Sequence, residues 1–326
     1  MKKTSLACAL TIAAVSAPAL AQKTDPAAGF PSRPIRVVVG FTPGGQPDIY
    51  ARLIQAKLTD ALRQQVVVDN RPGAGGIIGS HIVVDAPADG HTLLSVSSAH
   101  VTSPAVRAKM PFDTIKDLAG ITLTANATYV LAVTPALNIK TVQELIALAK
   151  AKPGQINFSS AGTGSGTHFA GEMFKQSAGI DIVHIPFKGI PESLTDAISG
   201  RVQFTMAPIA SSVSLIKEGR LRAVGVTSKK RSSLYPELPT LAEQGLTGFE
   251  WDSWGGLLAP AKTPRAVINK LTREVVKILA MPEIIERMRA LGAEPTATTP
   301  EEMDAFVARQ LKTAMQLAKK AGIEPQ

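Results

Sequence analysis

Twice along this chain a short strand-like run ends in a glycine-rich turn and passes straight into a helical pattern. That repeated unit limits the fold more than any other feature. The first copy is Ile35-Arg36-Val37-Val38-Val39, stopped by Gly40-Phe41-Thr42-Pro43-Gly44-Gly45, with Ile49, Leu53, Leu58 and Leu62 following at helical spacing. The second is Ile156-Asn157-Phe158-Ser159, halted by Ala161-Gly162-Thr163-Gly164-Ser165-Gly166, with a helix from Thr167 through Gln176. After the first copy, Val66-Val67-Val68, the breaker Arg71-Pro72-Gly73-Ala74-Gly75-Gly76, a helix through Val84 and a strand from Thr92 to Val96 keep the alternation going. Such a rhythm predicts α/β units with a mostly parallel sheet. A connecting stretch is expected from Asp113 to Ala127, then a strand from Tyr129 to Val133 and a helix over 141–150 opened by a Thr141/Glu144 capping box. Asp181 to Ile185, Val202 to Met206 and Leu221 to Val226 complete a second set of strands. Trp254 to Leu258 reads as one more, before amphipathic helices that begin at Pro264, Pro282 and Pro300, where a first-turn proline suits.

The N-terminus reads as a secretory signal peptide. Lys2 and Lys3 precede an apolar run from Leu6 to Val15, and Ala19-Leu20-Ala21 gives a cleavage site before Gln22. The run falls short of the ~20 residues needed to span a bilayer. The only cysteine, Cys8, lies inside this leader, so the mature chain has no disulfide, thiol nucleophile or cysteine metal site. A lipid anchor through Cys8 is disfavoured because almost no apolar run precedes it. The 35 Lys+Arg exceed the 26 Asp+Glu, yet the one dense cluster is Lys229-Lys230-Arg231 and aromatics make up only 5%. That pattern describes a solvated basic surface and not a nucleic-acid interface. A mature chain of this length exceeds what one core usually organises, which predicts two lobes.

The chemistry concentrates at the two turns. Thr42-Pro43-Gly44-Gly45-Gln46-Pro47-Asp48 and Gly162-Thr163-Gly164-Ser165-Gly166-Thr167-His168 both place glycines between a strand end and a helix start. Free amides and the helix dipole make such a place an anion site, and facing turns from separate lobes would grip a carboxylate. Enzyme readings fare worse. Ser165 fails G-x-S-x-G because Thr163 stands two residues before it. Gly73 to Gly79 misplaces the third glycine of a dinucleotide fingerprint. The five histidines (His81, His91, His100, His168, His184) have no spacing that assembles a metal site. His168 is the best catalytic candidate, without a cysteine or elbow serine to support it. Asp48 is expected to cap its helix. No catalytic residue, metal or cofactor is therefore expected. A rival from another class is an exported hydrolase or isomerase using His168 and a turn serine; a blander one is an interaction module with a vestigial cleft.

Several ordered segments resemble the Bug-type receptors, the substrate-binding proteins of tripartite tricarboxylate transporters. They are Phe30 to Val39 leading into Pro43-Gly44-Gly45 and Asp48, Asp69 to Gly76, Asp89 to Leu94, Ser160 to Ser165, His184 to Gly189, and Leu238 to Glu243. The resemblance implies a two-lobed, flytrap-like periplasmic-binding-protein fold (type II) with two mixed sheets flanked by helices. It implies one lobe from residues 22–128 and 250–326 and the other from 129–249. The carried-over site comprises Thr42, Pro43, Gly44, Gly45, Gln46 and Asp48 with Ser97 and Ser98, facing Ser160, Gly162, Thr163, Gly164, Thr167 and His168 with Phe187 and Lys188. Where many relatives have an Asp-Asn pair, this chain has Ala207-Pro208, which removes an acid that would meet a ligand ammonium. The resemblance thus implies a periplasmic monomer that binds a small carboxylate without an amino group, with membrane transporter subunits or a membrane sensor as its partner.

Overall fold

The computed structural model describes residues 27–323 and Pro325, so the leader expected over 1–21 lies outside the described residues. In chain order the elements are β1 (Ile35–Val39), α1 (Gln46–Leu62), β2 (Val66–Asn70), α2 (Ile77–Val84), β3 (Thr92–Ser97), α3 (Ala99–Ala105) and β4 (Leu118–Val133). Then come α4 (Val142–Ala151), β5 (Asn157–Ser160), α5 (Gly166–Ala178), β6 (Val183–Pro186), α6 (Ile190–Ile198), β7 (Phe204–Pro208), α7 (Ile209–Lys217) and β8 (Arg222–Val226). The chain closes with β9 (Asp252–Pro260), α8 (Arg265–Leu279), α9 (Pro282–Ala290), β10 (Ala293–Pro295) and α10 (Pro300–Lys320).

Two mixed sheets share one strand. In the first, β1 lies parallel between β2 and β3, and β9 runs antiparallel between β3 and β4. In the second, β5 lies parallel between β6 and β7, while β7 and β8 run antiparallel to β4. The parallel arrangement predicted from the alternation holds for the strand–helix units. The antiparallel β4 and β9 are what make the sheets mixed.

The stretch expected to connect the two sets is mostly strand. Residues 118–128 pair with β9 and residues 129–133 with β7 and β8, so β4 carries the chain from one sheet into the other without a break. Its period-2 alternation (Ile121, Leu123 and Ala125 against Thr122 and Thr124) is a strand signal in the sequence, and in the structure both sets are buried. Thr122 is accommodated there by donating to the Thr298 carbonyl at 2.9 Å. At the Thr141 cap, the hydroxyl accepts from the Glu144 amide, whereas Glu144 takes the Lys140 amide in return; the fully reciprocal box forms at Thr299 and Glu302.

The apolar core divides by sheet face and not by lobe. Val37, Val39, Val130 and Ala132 join one cluster, and Val38, Leu131 and Val133 the other. Alternate residues of a strand point to opposite faces, so each layer follows the curled sheet through both lobes.

One residue ties the middle of β4 to the segment that precedes β9. Thr227, fully buried, accepts the Tyr129 amide on its hydroxyl at 3.1 Å and donates that hydroxyl to the Trp251 carbonyl at 2.7 Å. Its backbone also bonds Tyr129 and Trp251. Thr227→Val keeps the shape and strands a buried donor and acceptor, which should lower the unfolding free energy by about 1–3 kcal/mol in a urea titration.

Candidate functional site

The two turns are built alike. In the first, Gly45 is the N-cap of α1 and Gly44 has a left-handed φ of 86° that favours glycine. Asp48, third in the helix, accepts the Gly44 amide at 2.9 Å. In the second, Ser165 is the N-cap of α5, Gly164 has φ 85°, and His168, again third in the helix, accepts the Gly164 amide on Nδ1 at 3.2 Å. Each turn therefore pins a left-handed glycine to the first turn of the helix that follows it. Asp48 departs from the simple cap expected of it, since it holds the residue before the cap. Its charge is balanced by Arg52 Nε at 2.9 Å, and Asn70 donates to it at 3.0 Å.

These turns face one another across a cavity of about 20 Å³, the room one water molecule needs. The segment after β1 and the start of α1 supply Phe41, Gly45, Gln46 and Pro47 to it, β3 supplies Ser97, and Ala161, Ser165, Gly166 and Thr167 come from the opposed turn. Tyr129, Ile190 and Pro208 complete the wall. Gly45, Ser165 and Pro208 are the N-caps of α1, α5 and α7, and Ile190 opens α6. Four helix N-termini thus converge on one small space, and among the described residues no charged side chain lines it. Each brings amides without helical acceptors and roughly half a positive charge. Gln46 is held inward by Ser253, which donates to its Oε1 at 2.5 Å.

Contacts between the lobes hold the walls together. Thr102 and Ser103 donate to the Gly164 carbonyl at 2.7 and 3.1 Å, and Arg107 Nη2 donates to the Thr163 carbonyl at 3.0 Å. Thr42 Oγ1 donates to Glu192 Oε2 at 3.0 Å, while the buried hydroxyls of Ser98 and Tyr129 lie 2.5 Å apart. Gly75 packs so closely on Thr163 that a methyl group there would run into its carbonyl oxygen.

Of the residues singled out from sequence, Gly45, Gln46, Ser97 and Thr167 line the cavity, as do Pro47, Ala161, Ser165 and Gly166 of the same two turns. Thr42 and Ser98 join the lobes, while Asp48, Ser160, Gly162, Gly164 and His168 stand in the turns and their supports. Thr163 offers its carbonyl to Arg107. Pro43 and Lys188 are exposed, Phe187 bonds the Ser160 carbonyl through its amide, and Ala207 is buried in β7. Sequence reasoning missed Phe41, Tyr129, Ile190 and Pro208. Phe41 sits inside the quoted first turn and Pro208 beside Ala207, so both were within reach. Tyr129 and Ile190 come from a strand and a helix start that carry no motif. Burial, aided by the Arg107 charge, pulls the His168 imidazole down to about 4, and burial with the neighbouring His168 brings His184 to about 3. Both rings are neutral at physiological pH, a state in which His168 can accept an amide.

The sequence model of the tripartite tricarboxylate transporter family receptor matches residues 50–323. Protein BugT of Bordetella pertussis (strain Tohama I) is 34% identical over 285 residues, 87% of each chain. The structure of R. palustris Rpa4515 with adipate superposes at a TM-score of 0.88 with 34% identity, covering 91% of this chain and 100% of that one. MatC (Rpa3494) of Rhodopseudomonas palustris with bound malate gives 0.84 and 28%, covering 88% and 99%.

Gly75→Ala should push the loop before α2 away from the second turn. Small-angle scattering is expected to give the variant a larger radius of gyration than the parent protein, and equal radii would show that this approach does not govern closure.

Proposed function

The chain belongs to the tripartite tricarboxylate transporter receptor family, and from that premise we propose that it captures a small organic acid without an amino group in the periplasm. The family is one of solute-binding receptors, not enzymes. In this reading lobe 1 comprises residues 22–128 and 250–326 and lobe 2 residues 129–249, and the lobes close on the acid as a monomer. Membrane subunits of a tripartite transporter then receive it. The shift of β4 from one sheet to the other after Thr128 supports the first boundary, and the Trp251–Thr227 tie supports the second.

The convergence of four helix N-termini on an uncharged cavity carries the proposal. A carboxylate there would meet helix N-termini and hydroxyls, which favour an anion. It needs no arginine. The cavity described is too small for a six-carbon acid, so entry requires the lobes to part and closure to follow.

Two features favour an acid without an ammonium group. Among the described residues no carboxylate lines the cavity. Two acids of the surrounding turns are engaged elsewhere, Asp48 with Arg52 and Glu192 with Thr42. An ammonium buried between helix N-termini would face like-signed dipole ends, an unfavourable position. The proteins that carry adipate and malate in the comparisons hold ligands of this amine-free kind.

A thermal-shift screen of residues 22–326 tests the reading, with adipate, malate, tricarboxylates, aromatic acids, aspartate and glutamate. An acid at about 100 times its dissociation constant should add about 2.7 kcal/mol of stability and raise the midpoint visibly. The amine-free acids are expected to give the shifts. Stabilisation by aspartate or glutamate alone would refute the amino-group argument, and silence from every acid would refute carboxylate capture.

A further inference from the structure

Two histidines stand behind the second turn with ring centroids 4.1 Å apart, and neither lines the cavity. His168, on α5, is 4% exposed, and His184, on β6, is half-buried. The Gly164 amide donates to His168 Nδ1. An amide nitrogen can only donate, so Nδ1 carries no proton and the ring proton rests on Nε2, which faces Glu172 Oε1 at 3.8 Å. On the other ring, Ser160 Oγ accepts the Gly162 amide at 3.1 Å and lies 2.6 Å from His184 Nε2. The direction of that contact depends on the His184 tautomer, and a hydroxyl that donates to Nε2 goes with the ring proton on Nδ1, the arrangement taken here. Two amides of one turn therefore end on two imidazoles, one directly and one through a serine.

We propose that His168 and His184 are positioning residues for ligand capture, neutral rings of opposite tautomer that fix the Gly162 and Gly164 peptides and thereby aim the N-terminus of α5. This rests on the receptor reading above. Gly162 and Gly164 hold φ of 108° and 85°, conformations glycine leaves easily unless its peptide is anchored. The Thr163 and Gly164 carbonyls between and beyond those amides are the ones that Arg107, Thr102 and Ser103 grip across the lobes. Anchoring the amides sets where those carbonyls point, so the same tether serves ligand and closure. Arg107 acts on His168, disfavouring a proton on the ring, and His168 acts likewise on His184. Glu172 faces His168 from α5, its own carboxyl raised by burial and lowered in part by Lys175.

Histidine-detected 15N NMR on the mature protein, without ligand, reads the tautomers directly. His168 is expected as the Nε2–H form and His184 as the Nδ1–H form, neither ring titrating above about pH 5. The reverse tautomer on either ring overturns the proposal. Amide mimics supply the second measurement, since the asparagine oxygen can stand in for Nδ1 and the glutamine oxygen for Nε2. With adipate as the probe, His168→Asn and His184→Gln should bind like the parent, while His168→Gln and His184→Asn should bind about tenfold more weakly, the loss expected for one hydrogen bond. Equal affinity within each pair overturns the proposal, because a purely packing role would not distinguish which atom is replaced. If the parent itself ignores adipate, the receptor reading for that acid fails while the tautomers still decide this one.

Discussion

The receptor reading depends on one constraint, the convergence of four helix N-termini on a single small space. Helices α1, α5, α6 and α7 start at the cavity wall and none of the lining side chains carries a charge. A helix start is useful to a ligand only if its amides point at one place and water is kept out. The strand–turn–helix units meet the first requirement, since strand ends and helix starts share the turn. Closure of the lobes meets the second. The shared strand β4 lets the lobes be separate halves of a continuous backbone, and Thr227 ties the middle of β4 to the segment that precedes β9.

The supporting shell is richer in specific chemistry than the cavity itself. Asp48 and His168 perform the same task on opposite turns with different groups, a charge-balanced carboxylate in one and a neutral imidazole in the other. Each converts a flexible glycine into a fixed one. The direct contacts between lobes then fall on the same turns, so the geometry that would receive a ligand also completes closure. This economy is physically reasonable: a turn pinned from behind loses little freedom when a ligand or the other lobe arrives.

Much of this was legible in the sequence, for identifiable reasons. Isolated β-branched runs and glycine breaks placed β1, β2, β3 and β5 and the two turns, because local conformational preference decides those segments. Proline at helix starts located α8, α9 and α10. The first ten residues of β4 read as a connection, yet the alternation of Ile121, Leu123 and Ala125 with Thr122 and Thr124 was a legible strand signal there. Gly45, Gln46, Ser97 and Thr167 could be found as wall residues since they stand in or beside a motif. Tyr129 and Ile190 could not, because tertiary packing alone brings them to the cavity. Nor does sequence reveal that His168 serves from behind the turn: its position in the helix is visible, but the direction of its ring depends on Gly164 and His184.

The central claim is that oriented amides, without a charged partner, select a carboxylate. Isothermal titration of the mature protein with a dicarboxylate and with its uncharged diamide, of the same length and shape, tests this directly. Adipate and adipamide are the pair to compare. The account predicts one site per chain for the acid and binding weaker by about a hundredfold or more for the diamide, since helix N-termini and charge-assisted hydrogen bonds favour the anion. Equal affinity for the two, or tighter binding of the diamide, would contradict it.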